Sequence, residues 1–131
     1  MATEQLVRSE IDAGLKLIKV LDDANFGVTG ALWLYSGDAG TWKFIIATNS
    51  PRKDIERKYL EAAIAVSKWR DTGTSEAILD LSRARIVSFE DPLIRGLAPI
   101  VKMDGLGEVR LTNNLVNGIF VEDALIHRMA A

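Results

Sequence analysis

The sequence predicts a single α+β domain: a mostly antiparallel sheet of about five strands with three helices packed mainly on one face, in the order α-β-β-α-β-α-β-β. Three observations carry this. Gly30 to Thr48, GALWLYSGDAGTWKFIIAT, sets two runs rich in aromatic and β-branched residues on either side of Gly37-Asp38-Ala39-Gly40. The glycines of that loop accept positive φ and its Asp can bond its own backbone, so the stretch reads as a hairpin. Glu108 to Arg128 repeats the pattern about Asn117-Gly118, a pair suited to a type I′ turn. Before and between these hairpins, apolar residues recur at spacings of three and four, the period of an amphipathic helix.

In chain order, Leu6, Val7, Ile11, Gly14, Leu17, Ile18 and Leu21 place one stripe on a helix over residues 3–22, with Thr3 as its cap. Asp22 to Gly27 end it. In the hairpin, setting Ser36 against Thr41 puts Tyr35 opposite Trp42 and Trp33 opposite Phe44, while Leu34 and Leu32 meet Lys43 and Ile45 on the other face. Ser50-Pro51 then starts a second helix running to Arg70, Pro51 at a position where its missing N–H costs nothing. Its stripe of Ile55, Tyr59, Ala62, Ala63, Val66 and Trp69 is expected to pack on the sheet, with Arg52, Lys53, Glu56, Arg57, Lys58 and Glu61 outward. Residues 79–88 read as an interrupted or bulged strand. Asp91-Pro92 opens a third helix of about three turns, which Pro99 should shorten.

A chain of 131 residues, 48% hydrophobic and 26% charged, can bury one core without a disulfide or structural metal. Sixteen Lys and Arg against 18 Asp and Glu leave a net charge of -2, which supplies no global attraction for nucleic acid or anionic membrane. Nucleic acid is therefore not the favoured partner. With no cysteine, thiol catalysis and cysteine-ligated metal centres are excluded. The opening MATEQLVRSEIDAGLK has acids and no apolar core, so it does not read as a signal peptide, and no apolar run spans a bilayer. The expectation is a cytoplasmic protein with no membrane contact.

No GxSxG, GxGxxG, Walker-type glycine loop or HExxH occurs, so the usual signatures of nucleotide hydrolysis and zinc proteolysis are missing. His127 is the only histidine and would have to centre any histidine-based catalysis; a strand-end structural histidine is the plainer reading. Asp38, Lys43, Glu122 and Asp123 are the parts of a magnesium-dependent nuclease, but Glu122 and Asp123 point to opposite faces unless a bulge intervenes. The binding candidates are Trp33, Tyr35, Trp42, Lys43, Arg52 and Lys53. Exposed, the aromatics would form a stacking or docking platform; covered by a helix, they are core. The expected compromise buries Trp33 and Phe44 and leaves Tyr35 and Trp42 partly open near the loop.

Arg52, Lys53, Arg57 and Lys58 stand at the positive end of a helix dipole, which hints at an external anionic partner, although Asp54, Glu56 and Glu61 interleave with them. The reading that follows is a non-enzymatic interaction or accessory module without a cofactor or metal. It is expected to form a homodimer or bind a protein partner, with the strand 119–128 as an uncovered sheet edge. The alternative is a small metal-dependent hydrolase or nuclease-like enzyme.

Overall fold

The computed structural model describes residues 5–130. The predicted element order is observed: α1 (Arg8–Asp23), β1 (Val28–Ser36), β2 (Thr41–Thr48), α2 (Ile55–Arg70), β3 (Ala84–Ser88), α3 (Pro92–Leu97), β4 (Val109–Val116) and β5 (Ile119–Met129). They form one five-stranded sheet in the order β3-β2-β1-β5-β4. The sheet is mixed. β1 pairs antiparallel with β2 and β5, and β4 with β5, but β3 lies parallel to β2, because α2 carries the chain back to the starting end of β2 before β3 begins.

The sheet separates two apolar clusters. On one side α1 and α2 cover Ala31, Trp33, Tyr35, Trp42, Phe44 and Ile46; on the other, α3 covers Leu32, Ile45, Ala47, Ala124 and Ile126. Two of the three helices thus share a face, and the hairpin register is the predicted one, including Trp33 against Phe44 and Tyr35 against Trp42. At the second turn Asn117 and Gly118 have φ of 50° and 79°, as a type I′ turn requires. Asp91 Oδ2 accepts from the Leu93 N–H at 3.0 Å, and Pro92 takes the first helical position of α3.

Several expectations are corrected. α1 begins at Arg8, not residue 3, with no side-chain cap at Val7; Thr3 lies outside the described residues. Ser50 does not cap the second helix. A 3₁₀ turn, Arg52–Asp54, precedes α2, and its Arg52 N–H is taken by Glu90 Oε1 at 2.9 Å from the turn after β3. Lys58, placed outward by its charge, is 5% exposed, because it stands one turn before Ala62 on the buried stripe. Ala63, placed inward, is exposed. The segment 79–88 resolves into a 3₁₀ turn (Leu81–Arg83) and the five-residue β3.

The strand 119–128 is not an edge. β5 lies between β1 and β4, and the edges are β3 and β4. Both are managed within the chain. β3 is short, and Tyr59 Oη on α2 accepts its Ile86 N–H at 2.9 Å. β4 runs through Thr112, Asn113 and Asn114, where Asn113 has a φ of 50° and interrupts the ladder.

Candidate functional site

The hairpin aromatics form a ladder, with ring centroids 4.9 Å apart for Trp33–Phe44 and 5.4 Å for Tyr35–Trp42. They are not a platform. Trp33, Tyr35 and Trp42 are all buried, which corrects the expectation that Tyr35 and Trp42 are partly open. Two guanidinium groups help to close this face. Arg83 lies 5.4 Å from the Trp33 ring centroid and donates to Glu10 Oε2 at 2.6 Å; Arg110 lies 5.6 Å from Trp42 and grips Asp123 through two bonds of 2.7 and 2.8 Å. Hydrogen bonding to Asp123 holds the Arg110 pKa above its ordinary value. Each pair places a planar cation over a ring and seals the edge of the core.

The cationic candidates are dispersed. Lys43 is exposed on β2, opposite Leu34 in the register, away from the buried aromatics. Arg52 and Lys53 are exposed on the 3₁₀ turn before α2, and Arg57 pairs with Asp54 at 3.4 Å. The helix start they flank already holds an anion: the Arg52 N–H, with help from Ser88 Oγ, keeps the Glu90 carboxyl below the usual glutamate value.

The acidic candidates do not converge. Asp38 is exposed in the β1–β2 loop, Asp123 is committed to Arg110, and no group of three His, Asp or Glu among the described residues is placed to hold a metal ion. His127 is fully buried. Its Nδ1 lies 2.8 Å from the Gly107 carbonyl oxygen, and its Nε2 has no hydrogen-bond partner among the described residues. The ring therefore has no direct contact with solvent. The sequence put it near a strand end; the long β5 and the segment around Gly107 enclose it.

What the structure brings to the surface is apolar. Leu115 and Phe120 face each other across the β4–β5 ladder and are 73% and 62% exposed, while Val116, Ile119 and Val121 of the same tip pack toward α3. Beside Phe120 a groove of about 350 Å³ runs past Leu34 and Ser36 to the β1–β2 loop. On α2, Leu60 and Ile64 are 62% and 47% exposed on the side away from Ala62. No helix among the described residues is long and apolar enough to cross a membrane. Sequence reasoning missed Leu60, Ile64 and Leu115 because it followed one stripe per helix and one face per strand; Phe120 it placed only as part of the expected edge strand 119–128. The signals were present: Leu60 and Ile64 are four apart, and Leu115 and Phe120 are symmetric about Asn117-Gly118.

Compared with protein-family models, curated proteins and solved structures, the chain has no significant match.

Proposed function

We propose that the chain is a non-catalytic interaction module that docks a protein partner on the tip of the β4–β5 hairpin. The observation that carries this is the Leu115–Phe120 pair: two large apolar side chains directly opposed, each more than half exposed, at the end of an edge strand. Aromatic and aliphatic anchors of this kind gain most of their binding energy by leaving water. The groove past Leu34 extends the surface toward the first hairpin and gives a partner segment a concave seat. The acids that a metal-dependent hydrolase would need sit in pairs with arginine or lie apart, which favours the interaction reading.

The test is a photocrosslinking amino acid, benzoylphenylalanine, in place of Phe120 in the intact chain, in the cells that produce it, with the same replacement at exposed Lys102 as control. A protein adduct from position 120 that is absent from position 102 supports the reading, and its mass distinguishes a second copy from another chain. Equal or absent adducts at both positions overturn it. Magnesium or zinc should leave the thermal midpoint unchanged; a dose-dependent rise lost in Asp123→Ala would favour the hydrolase instead.

A further inference from the structure

A surface helix ordinarily carries one apolar stripe and one polar face. α2 departs from this. Its buried side holds Lys58, Ala62 and Ala65, and on the far side Leu60, Ala63 and Ile64 form a second apolar stripe open to solvent. The charges flanking that stripe have a pattern of their own. Relative to Ala62, Leu60 and Ile64 lie two residues to either side, Glu56 and Lys68 six, and Lys53 and Asp71 nine. All four charged residues are exposed, and none of them forms an ion pair with another described residue.

We infer that α2 is a homodimer interface, two copies packing antiparallel about a twofold axis level with Ala62. In that register Leu60 of each copy meets Ile64 of the other, Glu56 meets Lys68, and Lys53 meets Asp71, every contact occurring twice as an isologous interface requires. Neighbouring registers are worse. Sliding by three residues in one direction sets Glu56 against Asp71, like charge on like; sliding by four in the other sets Glu56 against Ile64 and buries a carboxylate on an aliphatic side chain.

The helix dipole points the same way. Lys53 stands near the positive end of its own helix and Asp71 at the negative end, each unfavourable within one chain. An antiparallel copy brings each beside the opposite end of its partner and reverses both signs. A groove of about 290 Å³ between the end of α1 and α2, with Phe26, Ile64 and Ala65 as its apolar wall and Glu61 and Lys68 on its lining, lies beside Ile64, where the partner's Leu60 would seat. This interface goes beyond the hairpin surface, lies on a different element, and stands or falls separately from it.

Analytical ultracentrifugation of the full chain across micromolar concentrations tests it. The expected species has about twice the 14.4 kDa chain mass and dissociates further as salt is raised. Leu60→Glu with Ile64→Glu should yield a monomer that still unfolds cooperatively, with a thermal midpoint that no longer rises with protein concentration as the dimer's does. Glu56→Lys alone should weaken the dimer about tenfold, by turning two attractive contacts repulsive, and adding Lys68→Glu to the same chain should restore it. Leu115→Glu with Phe120→Glu should leave the dimer intact. A monomer at every concentration, a dimer indifferent to the Leu60/Ile64 changes, or failure of the double charge reversal to restore association would each overturn the inference.

Discussion

Lys58 of α2 and Phe26 of the α1–β1 connection are joined twice: the ammonium donates to the Phe26 carbonyl oxygen at 2.6 Å and lies 4.0 Å from the centroid of the Phe26 ring. A third contact, 2.6 Å to Glu61 Oε2, balances the charge. The lysine therefore ties the loop after α1 to α2 from a buried position, where its carbonyl and carboxylate partners stand in for water. Lys58→Met should cost about 1–3 kcal/mol, because the stem is replaced but the Phe26 carbonyl loses its donor. Urea midpoints at constant m-value will measure it, and a neutral result would mean that water reaches the carbonyl.

Phe44 is fully buried between α1 and the sheet, 4.9 Å from the ring of Trp33, and a Cβ at Gly14 would lie 3.2 Å from its ring. A helix this close to an aromatic ring leaves no room to collapse around a void. Phe44→Ala should therefore cost about 3–5 kcal/mol. A loss under about 1 kcal/mol in denaturant unfolding would contradict the packing of α1 on the aromatic face.

Gly96 marks where α3 meets the second hairpin. A Cβ there would stand 2.5 Å from Val116 Cγ1 and 2.7 Å from Asn117 Cβ, so Gly96→Ala must push the hairpin tip off the helix. The expected cost is about 1–3 kcal/mol. Faster amide exchange should be confined to residues around the Asn117-Gly118 turn; uniform loss of protection would show that the contact serves the whole fold instead.

Glu90 links acid stability to the start of α2. Its carboxyl is held below the ordinary glutamate value of 4.5, first by the Arg52 N–H and then by Ser88 Oγ. A depressed acid contributes stability that is present above its unfolded pKa and is lost as pH falls through the folded value. The wild-type thermal midpoint should exceed that of Glu90→Gln at pH 6, and the gap should close as pH falls below the ordinary glutamate range through the lowered folded-state value. Parallel curves from pH 6 to 3 would show that the bond to Arg52 does not depend on the carboxylate charge.

Local chemistry wrote much of this fold into the sequence. The Trp33–Phe44 and Tyr35–Trp42 pairs, the Asn117-Gly118 turn and the Asp91-Pro92 helix start were all legible because each depends on residues near one another in the chain. What the tertiary structure decided was everything that depends on sheet order. Placing β5 between β1 and β4 turned an expected edge into an interior strand and enclosed His127. Arg110 and Arg83 closed over the aromatics through Asp123 and Glu10, the latter 73 residues away in sequence from its arginine. Glu90 replaced Ser50 at the start of the second helix through a contact that spans 38 residues, and Leu60, Ile64, Leu115 and Phe120 were left outside. Periodicity reports that a residue lies on some face of its element; which face meets a neighbour and which meets water is set only when the elements pack.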